Sequence, residues 1–246
     1  MQIAKGTHGP RERLPGGNVD SPRILFALVA ASALFFGCGP LGTGGELSHG
    51  GFSYRCTSEG DPTCDVPDWE YALAELPDTL AVGSRFGIEY SGQSAETESG
   101  ASYAVTVVPA STYMAERSGS ELVVKAPGHV ALLAVAAGSV ADFVHIRAAS
   151  PTVIVLEESG AAVVAPTLAA GSSTSLRATL ADSDGRLLGG GASYTWTSSD
   201  EAVLLVGSSY GDNDATWTAV APGVATVSVS ALGLTRDFPV IVEVAP

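Results

Sequence analysis

Positive charge is scarce in this 246-residue chain: 12 Lys and Arg stand against 26 Asp and Glu, for a net charge of −14. A surface that tracks nucleic-acid phosphates needs clustered basic residues, so nucleic acid is not an expected partner. Cysteine is also rare. The three cysteines all lie within the first 64 residues, so the rest of the chain has no covalent cross-link and must be stabilised by packing. Histidine is limited to four residues, with none beyond His145. Long apolar runs are absent except for Ile24 to Phe36, roughly 13 residues against the 20 or so that a spanning helix needs. After residue 75 no segment shows a strong 3.6-residue apolar period, which argues against helices there.

What the chain does have is glycine, proline and apolar side chains. Gly (29) and Pro (14) make turns frequent, while 46% of residues are hydrophobic and the mean hydropathy is +0.26. A disordered acidic chain has the opposite hydropathy. The composition indicates a turn-rich globular protein built from short strands.

The run from Ile24 to Phe36 has Ser32 as its only polar member, and Lys5, Arg11, Arg13 and Arg23 precede it. Its length and basic lead-in are those of a secretory signal peptide, expected over residues 1–37. A core helix would show a polar face, and this run has none. It ends in Phe35-Phe36-Gly37-Cys38, which resembles the lipobox of bacterial lipoproteins, although Phe35 stands where Leu is usual and Phe36 where Ala or Ser is common. That resemblance implies cleavage before Cys38 and acylation of its sulfur, with the membrane as partner through the acyl chains. Each buried methylene contributes about 0.8 kcal/mol, so two or more chains anchor a protein stably. Gly39 follows Cys38 in place of the Asp that retains such proteins at the inner membrane, which implies an outer-membrane address. Beyond Cys38 the chain carries 8 basic and 24 acidic residues, a balance that keeps it off anionic head groups.

With Cys38 assigned to lipid, Cys56 and Cys64 form an even pair in an oxidising compartment and read as one disulfide. The competing reading is a zinc site, which would need two further ligands where only His49 is near. Residues 39–50 are glycine-rich and read as a flexible spacer, within a tether expected over 38–75. Phe52, Tyr54 and Trp69 surround the cysteine pair, either as a small knot or as a contact surface.

The downstream sequence repeats. Ala126-Pro127-Gly128 recurs as Ala221-Pro222-Gly223, and without a gap Gly138 matches Gly233, Asp142-Phe143 matches Asp237-Phe238, and Ile146 matches Ile241. A period near 95 residues is too long for a solenoid unit and suits two tandem domains, over 76–149 and 150–246. A related opening precedes each: Ala81-Val82-Gly83-Ser84 and Ala169-Ala170-Gly171-Ser172. Ser173 to Leu180 alternates with Leu176, Ala178 and Leu180 on one face. Val227 and Val229 share a face, as do Phe238, Val240, Val242 and Val244. Period-two spacing predicts half-exposed antiparallel strands, and turn signals at Asp184-Gly185, Gly189-Gly190-Gly191 and Pro222-Gly223 separate them. The expected fold is all-β, two tandem β-sandwiches.

The stretch Tyr194–Val206 (YTWTSSDEAVLLV), followed by Thr218–Ala231 (TAVAPGVATVSVSA) and a closing strand, resembles bacterial Ig-like group 2 domains of intimin- and invasin-type surface proteins. Trp196, Ser198, Ser199, Asp200, Ala221, Pro222 and Gly223 carry the match. Residues 76–149 match less fully: Ala126-Pro127-Gly128 is kept, but the Trp strand is replaced around Tyr103, with Val105 near the Trp position. That first domain is also shorter, so it lacks a strand or borrows residues 66–75. Trp196 is expected on a central strand with its ring between the sheets, its truncation costing about 3 kcal/mol or more.

Few residues suggest chemistry. Gly207-Ser208-Ser209-Tyr210-Gly211 satisfies the G-x-S-x-G pattern of a hydrolase nucleophile elbow, but the chemistry needs a strand before it, a helix after it and a later histidine. Here a strand pattern follows and no histidine does. Asp182-Ser183-Asp184-Gly185 and Asp212-Asn213-Asp214 offer oxygen ligands of the kind calcium uses, and equally the residues of tight turns. His129 and His145 fall on different strands of the first domain, and Glu157-Glu158 reads as a solvated linker. No catalytic residue, metal site or cofactor is expected. The reading is a non-enzymatic lipid-anchored exported protein, presenting Ig-like domains for adhesion, binding or spacing toward a protein or carbohydrate ligand. An envelope scaffold that binds through an edge strand is the alternative, and an exported hydrolase the remote one.

Overall fold

The computed structural model describes residues 42–58, 61–64, 73–92, 104–208 and 213–245. The expected signal segment, Cys38 and Trp69 lie outside these residues. The described residues belong to one compact unit. Among the described residues there is no α-helix and one short 3₁₀ turn, Pro62–Cys64.

Ten strands belong to the first half: β1 (Thr43–Gly44), β2 (Gly50–Arg55), β3 (Leu73–Ala74), β4 (Thr79–Ala81), β5 (Arg85–Gly92), β6 (Val105–Pro109), β7 (Ala115–Ser118), β8 (Glu121–Val124), β9 (Gly128–Ala136) and β10 (Ser139–Ala149). Nine form the second: β11 (Val153–Glu158), β12 (Ala161–Val163), β13 (Thr167–Ala169), β14 (Ser173–Ala181), β15 (Tyr194–Ser198), β16 (Leu204–Ser208), β17 (Asp214–Ala219), β18 (Gly223–Ala231) and β19 (Leu234–Glu243). Each half is an Ig-like sandwich of two sheets. The first pairs β1-β2-β5-β8-β7, with β3 beside β2, against β4-β10-β9-β6. The second pairs β12-β11-β14-β17-β16 against β13-β19-β18-β15. Apart from the short strands β1, β3 and β12, the two halves repeat one topology, including the parallel pairing of a short strand with the last one, β4 with β10 and β13 with β19.

Alternation builds the cores as the sequence predicts. Leu176, Ala178 and Leu180 of β14, Val227 and Val229 of β18, and Phe238, Val240 and Val242 of β19 all point inward and are buried. Val244 follows the end of β19 and is exposed.

Several expectations change. The expected 39–50 spacer is structured from Thr43 onward: β1, a turn over residues 45–49 and the start of β2 pair up, and β2 lies against β5 across six residue pairs, so the first sandwich takes strands from upstream of residue 76. Phe52 and Tyr54 are core residues of that sandwich, Phe52 edge-on to Tyr90 and Tyr54 stacked on Phe86. Glu157 and Glu158 lie within β11, accepting hydrogen bonds from the hydroxyls of Thr179 and Thr174. The position equivalent to Trp196 in the first sandwich is Val107, not Val105. Trp196 faces Val229 across β15 and β18, and Val107 faces Ala134 at the matching register of β6 and β9.

A further change concerns the repeat itself. A β-bulge between Val140 and Asp142 shifts β10 by one residue against β9, and β19 has no such shift. A one-residue slip turns every side chain to the other face. Asp142 is therefore buried and Phe143 half-buried, while Asp237 is exposed and Phe238 fills the core. The structural counterpart of Phe238 is Val144, since each opposes the corresponding residue of β9 or β18, Leu132 or Val227.

Candidate functional site

The Cys56–Cys64 bridge forms as expected, with Cα atoms 5.6 Å apart. It closes a loop that carries Asp61 into the junction of the two sandwiches. The Asp61 carboxylate is buried and accepts hydrogen bonds from the Tyr54 hydroxyl, from the Thr63 amide at 3.0 Å and from the Gly190 amide at 3.1 Å. Burial pushes the Asp61 carboxyl above its ordinary range, against the lowering effect of those donors. Burial and the neighbouring Asp61 charge hold the Tyr54 phenol well up. Tyr194 of the second sandwich is raised as well, chiefly by burial.

Gly190 belongs to the Gly189-Gly190-Gly191 segment, expected as a turn. It instead runs along the first sandwich as an added piece of strand. Gly189 donates to the Thr79 carbonyl and accepts from the Ala81 amide, both at 2.9 Å, on the outer edge of β4. Gly191 exchanges two bonds with Arg85 at the start of β5, at 2.9 and 2.7 Å. A Cβ at Gly189 would lie 2.7 Å from the Thr63 hydroxyl, and one at Gly190 would lie 2.1 Å from the Ser84 hydroxyl, where φ is +100° besides. Close approach to the side chains of Thr63, Pro77 and Ser84, not turn geometry alone, requires these glycines. Nothing in the sequence distinguishes the two uses.

Beside this junction an open groove of about 640 Å³ lies over the outer face of β11, β14 and β17. Pro62 of the disulfide loop forms part of its wall, with Glu157, Ser175, Arg177, Thr179 and Asp214 among its polar lining. Arg177 grips Asp214 through two hydrogen bonds of 3.1 and 3.2 Å. Hydroxyls beside a planar ion pair present donors and acceptors suited to a polar or hydroxyl-rich ligand. By sequence Glu157 reads as a linker residue and Asp214 as a turn or calcium-ligand candidate, while Ser175, Arg177 and Thr179 are not picked out; the alternation that placed these three on one outward face was the available signal.

The other candidates are scattered. Trp196 points into the second sandwich, but from β15, an outer strand of its sheet, and is only part-buried. The fully enclosed indole is Trp217 on β17, edge-on to Trp196 at 6.3 Å. Asp182 closes a turn by accepting from the amides of Asp184 and Arg186, and Asp184 pairs with the Arg186 guanidinium. Asn213 is buried and Asp214 faces the groove; Asp212 lies outside the described residues. No cluster of three metal-ligating side chains occurs among the described residues. Gly207 and Ser208 end β16, which pairs antiparallel with β17; Ser209 to Gly211 lie outside the described residues. A strand, β17, follows the motif where a nucleophile elbow needs a helix. His129 and His145 lie on the adjacent strands β9 and β10, His145 against Glu46 at 2.5 Å.

No protein-family model matches the sequence, and no curated protein sequence matches it. Among solved structures, domains 4 and 5 of the S-layer protein SbsC are similar at 16% identity and a TM-score of 0.33, over 67% of this chain and 93% of that one. InvD of Yersinia pseudotuberculosis is similar at 15% identity and a TM-score of 0.33, over 69% and 56%. A β-glycosidase from Bacteroides vulgatus is similar at 13% identity and a TM-score of 0.30, over 68% and 23%. None of these likenesses bears on what this chain binds.

Proposed function

We propose that the chain is a non-enzymatic exported lipoprotein, held to the envelope by acyl chains on Cys38, that presents two joined Ig-like sandwiches for contact with a protein or carbohydrate. The observation that carries this reading is the junction. Gly189–Gly191 extends both sheets of the first sandwich, and the disulfide loop secures it through Asp61. Such a joint holds two binding faces in fixed relation, and the polar groove beside it gives a ligand hydroxyls and an ion pair to meet. The Phe36-Gly37-Cys38 ending of the apolar run supports the anchor, and Gly39 supports an outer-membrane address.

Two experiments test the parts separately. Metabolic labelling with a clickable fatty acid should mark the wild-type chain and leave Cys38→Ala dark; label that survives the substitution rejects the anchor. Pull-down from envelope extract with the 39–246 unit should recover a partner, and Arg177→Ala should weaken its capture. Protease treatment of intact cells separates an adhesin, which is removed, from a periplasmic scaffold, which is spared.

A further inference from the structure

The six residues Thr79-Leu80-Ala81-Val82-Gly83-Ser84 and Thr167-Leu168-Ala169-Ala170-Gly171-Ser172 differ at one position. Their backbones bond alike. Ser84 Oγ donates to the Ala81 carbonyl at 2.7 Å, and Ser172 Oγ to the Ala169 carbonyl at 2.6 Å. Gly83 donates to Val124 and Gly171 to Ala219, both at 2.8 Å, with φ of +92° and +85°. The Val82 amide reaches Ala149 at 2.9 Å and the Ala170 amide reaches Glu243 at 2.8 Å.

One of the two edges is filled. The glycine segment of the second sandwich covers Thr79, Leu80 and Ala81 and leaves them buried. The other is open: β13 is the outer strand of its sheet, no described segment pairs with its free side, and Thr167 is exposed. By the same register, the Thr167 carbonyl and Ala169 amide point outward as those of Thr79 and Ala81 do. The surroundings differ in one respect. Where the first sandwich has His129 and Arg147 beside its filled edge, the second has Val224 and Ile241, cross-strand neighbours that are 67% and 50% exposed. An unpaired edge flanked by apolar side chains is a template for strand addition.

We propose that the β13 edge is a docking site for an extended glycine-rich segment of a partner protein, flanked by apolar residues that cover Val224 and Ile241. Glycine is required because Ser172 Oγ stands where Ser84 Oγ would collide with a Cβ on the bound strand. This deepens the reading of the chain as a binding module and rests on it. The test uses the natural occupant of the matching edge as probe, a synthetic peptide of residues 186–192 (RLLGGGA), added to the full chain. Hydrogen exchange followed by mass spectrometry should show residues 167–173 slowed about tenfold at saturating peptide, as pairing protects the Ala169 amide. Residues 79–85, already paired, should not change. Ala169→Pro removes the outward donor at a position where an outer strand tolerates proline, and should abolish the protection while shifting Tm by less than about 3 °C. A peptide N-methylated at its first glycine, which cannot donate to the Thr167 carbonyl, gives the same check on the unaltered protein. No protection at millimolar peptide, or equal protection by a peptide with alanines in place of its glycines, overturns the proposal. Either result alongside a positive envelope pull-down removes this edge alone and leaves the binding-module reading in place.

Discussion

The Asp61 carboxylate, in a loop closed by the chain's one disulfide, accepts the Gly190 amide at 3.1 Å across the junction of the two sandwiches. The contact spans 129 residues of sequence and is buried, so breaking it leaves polar groups enclosed without partners. Each such group costs about 1–3 kcal/mol. Asp61→Ala frees the Tyr54 hydroxyl and the Thr63 and Gly190 amides together, and is expected to lower Tm and split one calorimetric transition into two. Cys56→Ser with Cys64→Ser should do the same by releasing the loop. A single unshifted transition in both variants would show that the sandwiches are held by something else.

Gly190 and Gly185 both have positive φ, +100° and +78°, but only Gly190 meets another chain segment. Alanine at Gly185 has open space and incurs backbone strain of about 1 kcal/mol. Alanine at Gly190 adds a collision with Ser84 Oγ and must push the glycine segment off β5. Gly190→Ala should therefore destabilise clearly more than Gly185→Ala and make the Arg85–Gly191 amides exchange faster. Equal melting temperatures would refute the close-approach account of this glycine.

Much of the second sandwich could be read directly from its sequence, because the alternation singled out in β14, β18 and β19 marks residues that are buried. The junction could not. Gly-Gly-Gly looks the same whether it turns or lies against another backbone, and only the fold reveals its neighbours. The first sandwich hid its β2 strand because GGFSYR (Gly50–Arg55) follows a glycine-rich run and precedes a cysteine, both of which suggest a linker. The Asp-Phe identity at 142–143 and 237–238 misled in a different way: one bulged residue reverses the faces without changing the alignment. Trp196 and Trp217 sit in similar alternating runs, so strand order, which sequence does not show, decides which ring is enclosed.

That order has a measurable consequence. Trp217 on β17 is fully buried between the sheets, whereas Trp196 projects from an outer strand. Trp217→Ala should cost about 3–5 kcal/mol, in the range of buried aromatic truncations. Trp196→Ala should cost about 1–3 kcal/mol, since part of its ring already meets water. Urea unfolding of both variants checks the ranking, and the reverse order would contradict the strand placement.

Asp142 supplies the last prediction. Its carboxylate is enclosed by the turn of residues 45–50 and accepts the amides of Leu47 and His49 at 2.9 Å, Gly50 at 3.1 Å and Phe143 at 2.8 Å. Burial alone would raise this acid, but the four donors outweigh it and hold the carboxyl below its ordinary value of 3.8. An acid with a lower pKa folded than unfolded stabilises the fold above the unfolded value, and that contribution disappears as pH falls through the folded one. Asp142→Asn replaces an acceptor by a group that can satisfy only some of these amides, and should lose at least about 3 kcal/mol at pH 7. The gap between wild type and variant should then narrow as pH drops below about 4, because wild type loses its charged acceptor there. Asp61, raised by burial, has the opposite pH dependence but is present in both proteins and cancels from the difference. Stability curves that stay parallel from pH 7 to pH 2.5 would show that the Asp142 charge does not hold the β1–β2 turn.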